Sequence, residues 1–444
     1  MQKTKQNSFL LDWHQSSFFN DPQALTSHVK NTTNLVFNSS LNSLVTYSDS
    51  NLHVYSLEKN DLSHEFNTGN TDITSIFSDP NSATIITANT ENVINFTDLE
   101  QKTASSIFKP KKFSTTNTVI THISGNLAKK RLVIGFDNGV VKLLTGKDLN
   151  VDQRVCVLPD IIDIQLVDSY LVVLTKKNIK HYNLKTKPIK SLTLDNRGTD
   201  DSRTTCLSSK SMQMHVARKE AVYLFNAKNC ERGACYAFPG DDKSNIQVVN
   251  DQYISIASNQ TRLSIYWPLK CRKMIVGNYV FETEIARLFC TPRSLIVVEI
   301  TGKISLLKLK PLQIRLDLLI NQENPVFDAA VQLCSEEKNT ENLLYRLRLS
   351  YAETLFKESR VDEGIKQLSE CIKLGKIPPI SVIQPIIEEK HFTIQVLKFL
   401  DNCLENAGLL TLVDKRLLIM LKMTCLIRLK DDVNLKELVT LRSN

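Results

Sequence analysis

Residues 131–146 read RLVIGFDNGVVKLLTG, and this stretch decides the fold. An apolar run (Leu132, Val133, Ile134) meets a tight polar turn around Asn138-Gly139, and a second, alternating run follows. Two antiparallel strands joined by a hairpin are written this way. The layout recurs as SLVTYSDSNLHVYSL from Ser43, TIITANTENVINFTDL from Thr84 and YLVVLTKKNIKHYNLK from Tyr170. It returns as MHVARKEAVYLFNA from Met214, YISIASNQTRLSIYW from Tyr253 and SLIVVEITGKISLLKLK from Ser294. The spacing is about 40 residues, close to the length of one four-stranded propeller blade. Seven such units predict a closed seven-bladed β-propeller over residues 1–310, the hairpins forming the inner strands of each blade.

The apolar runs are continuous (Leu171, Val172, Val173 and Leu174 in the fourth unit), as strands packed on both faces require. Asn138-Gly139 suits a type I′ turn, Thr301-Gly302 is similar, and Lys177-Asn178 uses an Asn in the same place. Glycine totals only 13, and the Gly-His and Trp-Asp pairs of WD repeats are absent, so this is a degenerate WD40-like ring read from its period. Such rings are often closed by a strand from the other end of the domain. FLLDWHQSSFFND, from Phe9, is apolar enough to be expected to pair with the last blade.

After Pro311 the apolar period changes from two to 3.6. Leu312, Leu316, Leu319 and Ile320 mark one short helix, and Asn324-Pro325 is placed to start another with Val326, Ala329, Ala330 and Leu333 as its stripe. Thr340 to Glu358 and Val361 to Leu374 read as an antiparallel pair closed by Gly375. Further helices are expected over Val382 to Glu389, Thr393 to Asn406, Lys415 to Lys430 and from Asn434 onward. Short helices joined by short turns predict an α-solenoid, tetratricopeptide- or clathrin-repeat-like, over residues 311–444. The apolar segment from Arg416, RLLIMLKMTCLIRLK, reads as a buried helix of that array.

Of the 444 residues, 42% are apolar and 23% charged, and the net charge is +8, all ordinary for a globular chain. The densest basic group, Lys109, Lys111 and Lys112 around Pro110, falls where a solvated loop between blades is expected. The opening MQKTKQNSFLLDWH has no sustained apolar stretch, and no run approaches the ~20 apolar residues of a spanning helix. The expectation is a chain without leader or anchor, whose sequons at Asn31, Asn38, Asn95 and Asn259 stay unmodified. Ten cysteines contain no Cys-x-x-Cys pair, and the closest two are Cys230 and Cys235. They read as reduced core residues of a cytosolic protein.

No phosphate-cradling glycine loop, metalloprotease, hydrolase or kinase signature occurs. The eight histidines are dispersed. His53, His181 and His215 fall in or beside strands and read as packed or solvated, while Asp200-Asp201 and Asp241-Asp242 read as solvated acidic turns. No catalytic, cofactor-binding or metal-ligating residue is therefore predicted, and no cofactor.

The central segment adds a resemblance. LDNRGTDDSRTTCLSS from Leu194 and EAVYLFNAKNCERGACYAFPGDDK from Glu220 resemble the vacuolar protein sorting-associated protein eleven family, a class C core subunit of the HOPS and CORVET tethering complexes. Arg232, Gly233, Cys235, Ala237, Phe238 and Gly240 match one family run, and Trp13, Phe18 and Phe19 match its aromatic start. YAETLFKESRVDEGIKQL from Tyr351, and the stretch from Pro379 to Leu429, Lys430 and Asp431, are similar to its solenoid. The family continues through a longer solenoid to a coiled coil and a RING zinc domain. This chain is expected to be the C-terminally short form, without the RING's ubiquitin-ligase activity.

The resemblance implies a non-enzymatic scaffold or tethering subunit in endosome-to-vacuole or lysosome transport. Its implied partners are other class C subunits and small GTPase and SNARE machinery. It would be cytoplasmic, held peripherally through partners on late endosome, vacuole or lysosome membranes, with neither nucleic acid nor a small-molecule substrate. Two alternatives stay open: a coat-like component of coatomer, intraflagellar or clathrin type, and a truncated duplicate with fewer partners.

Overall fold

Each hairpin becomes the central pair of a four-stranded antiparallel sheet, and there are seven sheets. The computed structural model describes residues 17–440 except 60, 68–71, 101–109, 114–116, 209–210, 230, 239–241, 270–272, 377, 379–381, 384–393 and 407–410. By contacts the chain divides into Met1–Lys310 and Pro311–Asn444.

In the first unit, blade 1 is β2(Leu35–Asn38), β3(Ser43–Ser48), β4(Asn51–Ser56) and β5(Asp61–Asn67). Blades 2 and 3 run from β6(Ile73–Ser78) to β9(Lys111–Lys112) and from β10(Ile120–Asn126) to β13(Val151–Val157). Blades 4 and 5 run from β14(Ile161–Val167) to β17(Lys190–Asp195) and from β18(Thr205–Leu207) to β21(Arg232–Ala237). Blade 6 runs from β22(Lys243–Val249) to β25(Lys273–Val280), and blade 7 comprises β26(Ile285–Thr291), β27(Ser294–Glu299) and β28(Lys303–Lys308). Apolar side chains of the second and third strands pack between neighbouring blades. Ile134 and Leu144 of blade 3 meet Ile86 and Phe96 of blade 2, while Val133 and Leu143 meet Leu171 and Val173 of blade 4. Alternate residues of one strand thus serve two interfaces, which explains the unbroken apolar runs.

The strand that completes blade 7 is β1(Gln23–His28), paired antiparallel with β28 through Gln23↔Leu306 and Ala24↔Ser305. The closure therefore uses residues just downstream of the expected segment, whose first part, residues 9–16 with Trp13, lies outside the described residues. Its end makes a separate latch: Phe19 bridges Leu309, and Phe18 bonds to both Val276 and Lys310. Phe18 and Phe19 insert fully buried against Tyr253 and Trp267, with ring centroids 5.7–6.2 Å apart for Phe19–Tyr253, Phe18–Trp267 and Phe18–Tyr253. Polar, alternating QALTSH suits an outermost strand with one face in water, whereas the aromatics need a dry slot.

The turns correct the sequence reading. At Asn138-Gly139 only Gly139 has positive φ (+83°), and its N–H bonds to Phe136 O at 2.9 Å. This is a type I turn closed by a left-handed residue, not the type I′ turn, which needs positive φ twice. Gly302 (φ +85°) repeats it, and Lys177-Asn178 has no left-handed residue. The left-handed sites are filled mostly by Asn and Asp, ten of the seventeen non-glycine residues with positive φ among those described, which is why so few glycines suffice. Lys111 and Lys112 form the outer strand β9 rather than a loop; Lys109 lies outside the described residues.

The second unit has seven helices among the described residues. They are α1(Leu312–Ile320), α2(Phe327–Glu336), α3(Glu341–Lys357), α4(Val361–Lys373), α5(Ile394–Glu405), α6(Leu412–Leu429) and α7(Asp432–Thr440). Asn324-Pro325 does not cap α2, which starts two residues later behind Val326 without a side-chain cap. The helix expected over Val382–Glu389 falls largely outside the described residues. The core of this unit gathers Ala352 from α3, Ile365 and Leu368 from α4, Val396, Phe399 and Leu400 from α5, and Leu418 and Cys425 from α6.

Candidate interaction surfaces

The residues weighed as chemical candidates are structural. His53 is buried with Nδ1 2.8 Å from Glu65 Oε1, His181 is buried against the Tyr170 ring, and His215 is buried in blade 5. They sit in three different blades and do not converge. Burial pushes the His215 imidazole down to about 4, so it is a neutral core group at pH 7. Asp201 is not a solvated acidic turn: it caps a short 3₁₀ turn and pairs with Arg203 at 2.6 Å. Burial raises its pKa, but the Arg203 bonds outweigh that and hold it below the usual range. Asp242 is exposed, and Asp241 is outside the described residues. Among the described residues no three His, Cys, Asp or Glu groups are placed to hold a metal, and no helix is long and apolar enough to cross a membrane. Cys334, Cys371, Cys403 and Cys425 are buried, but Cys235 on β21 is exposed, against the core reading.

The matched Leu-Asp-x-x-Gly stretch is likewise packing. Asp195 pairs with Arg218 at 2.7 Å, Arg218 also bonds to Gly198 O, and a Cβ on Gly198 would lie 2.0 Å from the Lys176 backbone.

Two surfaces remain open. The first strands of the blades line an axial channel, with a cavity of ≈ 510 Å³ lined by residues of blades 2 to 6. An adjoining ≈ 300 Å³ space shares Phe77, Ser78 and Gln247 with it and adds Phe37, Phe289 and Cys290. Gln247 Oε1 accepts from the Cys206 thiol (3.4 Å) and the Cys290 thiol (3.7 Å). Burial pushes these thiols up to about 12 and about 11, which keeps them protonated donors. The first strands were invisible to a reading built on the hairpins. Their lining residues lie a few positions before each hairpin, among them Ser78, Gln165, Cys206 and Gln247.

The second surface is on α6, which is buried on one side only. Leu418 and Cys425 face the core, while Val413 (66% exposed), Leu417 (40%), Met420 (59%) and Ile427 (57%) face water. With Thr424 they run at spacings of four, three, four and three, a heptad seam lying on one side of the helix. Arg416 and Arg428 border it on opposite edges and are exposed. The expectation of a buried helix is thus corrected: half of its apolar surface is outside. The spacing was legible in the sequence, but two apolar faces overlapping on one helix blur into a uniformly apolar run.

A family model described as PEP5/VPS11 N-terminal matches residues 13–308. No curated protein matches the chain. Among solved structures, the chain is similar to one in the crystal structure of a mitotic checkpoint complex. That match has TM-score 0.51 and 12% identity, and covers 70% of this chain and 96% of the other. It is also similar to the β-propeller domain of Cps50 (Swd1) from Myceliophteria thermophila, with TM-score 0.49 and 14% identity, over 66% of this chain and 100% of that one. The first likeness is one of fold alone.

Proposed function

This chain belongs to the PEP5/VPS11 N-terminal family, and from that premise we propose that it is a non-catalytic tethering scaffold in vesicle-mediated transport to the vacuole or lysosome. It works by holding other vacuolar sorting subunits, as in the HOPS and CORVET assemblies, and reaches late endosomal and vacuolar membranes through them. Small GTPases and SNARE proteins are engaged by the assembly it helps to build. The observation that carries the reading is a seven-bladed ring matched by the family model and followed by helices, one of which keeps a heptad seam facing water.

The occupant of that seam is an amphipathic helix of another subunit. A spacing of four and three fits knobs-into-holes packing, and the exposed Arg416 at the edge of the seam suits an acidic residue beside the partner's own apolar seam. A helix lying on lipid would want a wider apolar arc with interfacial aromatics; α6 has no aromatic residue.

Affinity purification of the tagged full chain from its own cells, followed by mass spectrometry, tests the function. Recovery of other class C vacuolar sorting subunits is expected. Recovery of coat components, or of no trafficking proteins, contradicts the reading.

A further inference from the structure

We propose that the axial channel of the propeller is a binding site for an extended, uncharged peptide segment, taken by one apolar side chain and its neighbouring backbone carbonyl. The cavity of ≈ 510 Å³ lies within the range of small-ligand sites, roughly 300–1,000 Å³. One side of the channel is aromatic. Phe77 packs one side against the core between blades 2 and 3, Phe37 and Phe289 do the same between blades 7 and 1, and all three are only half-buried. Phe37 and Phe289 stand 6.4 Å apart, and Phe77 lines the same adjoining space.

The facing groups are neutral hydrogen-bond donors. Both thiol contacts fall on the carbonyl oxygen of Gln247, leaving its Nε2 without a partner among the described residues. Ser78 Oγ accepts from Asn38 at 3.0 Å, which leaves its own proton to give. The charges at the mouth, Lys129 and Asp168, are paired with each other. At Gln247, Ser78 and the two thiols a carboxylate or ammonium would exchange its hydration for neutral partners, a heavy cost, while the half-buried charges of the first strands, Asp163 and Arg287, already attract each other. A peptide carbonyl brings the acceptor that Gln247 and Ser78 lack, and an aliphatic side chain beside it covers the phenylalanines. The ligand class follows from that pairing of donors with an aromatic wall.

The site belongs to the propeller alone and does not rest on the α6 seam, so its failure would leave subunit capture unchanged. The test is ligand-observed saturation-transfer NMR on the full chain, with N-acetyl-leucine methylamide as probe and N-acetylglycine methylamide as control. Transfer to the leucine methyl groups is expected, with at least a fivefold smaller effect for the glycine probe. Phe77→Ala should weaken the leucine signal about fivefold. Gln247→Leu keeps the volume and removes the donor, and should weaken it about threefold even if the first variant folds poorly. No transfer, equal transfer to both probes, or a signal indifferent to Gln247→Leu overturns the proposal.

Discussion

Helices α4 and α6 contribute to the same core, yet they use their other faces differently. α4 buries Val361, Ile365, Leu368, Cys371 and Ile372 and presents Asp362, Glu363, Lys366 and Lys373 to water. α6 buries Leu418, Cys425 and Leu426 and presents Val413, Leu417, Met420 and Ile427. Both end in the same reversal, with paired N–H bonds to the carbonyls three and five residues back, but the left-handed residue is Gly375 after α4 and Lys430 after α6. A helix whose only task is internal needs one apolar face. The second face of α6 gains nothing for the fold, since leaving large apolar side chains in water forgoes roughly 1.5–3 kcal/mol each that burial would supply. α4 is thus completed by its own unit, whereas α6 keeps a second apolar face in water, the face assigned above to a partner helix.

The inner faces should behave alike. Leu368→Ala and Leu418→Ala, both at fully buried positions, are each expected to cost about 2–5 kcal/mol in chemical denaturation. A near-neutral Leu418→Ala would break the claim that α6 is anchored by that side. The helix ends should behave oppositely. Lys430→Gly relieves a left-handed side chain and is expected to stabilise by up to about 1 kcal/mol, while Gly375→Ala, with open space around the added Cβ, should cost about 1 kcal/mol from backbone strain alone.

The outer face of α6 should be nearly silent in the same assay. Met420→Glu is expected to change stability by no more than about 0.5 kcal/mol, the usual range for a surface substitution. A loss comparable to Leu418→Ala would mean that the seam is already occupied within the chain. The smallest effect is expected from the thiols. Burial pushes Cys371 and Cys425 up to about 11, so neither should be alkylated in the native chain at pH 8, whereas exposed Cys235 should be. Early labelling of Cys425 would show α6 opening before α4.

The ring was legible because its signal repeats. Seven apolar runs at one interval survive weak turn chemistry, as the Asn and Asp residues at left-handed positions show. Asn138-Gly139 fits two hairpin geometries, and the loop length set by the register of the two hairpin strands, which ends at Gly135↔Val141, chooses between them. The closing strand is legible only in part. Hydrophobicity points to the aromatics before Asn20, which do meet the last blade at Phe19↔Leu309 and Asn20–Lys308, but the outer strand itself begins with exposed Gln23. The channel depends on residues one per blade, about 40 positions apart, which no local pattern brings together. The α6 seam was present in the spacing but hidden by a second apolar face on the same helix.

If the outward face of α6 holds a partner helix, its loss should release the partners. The most direct test is side-by-side affinity capture of the full chain and its Met420→Glu/Ile427→Glu variant, with class C vacuolar sorting subunits quantified by mass spectrometry. The intact chain is expected to recover them and the equally stable variant at least about tenfold less. Equal recovery by both would contradict it.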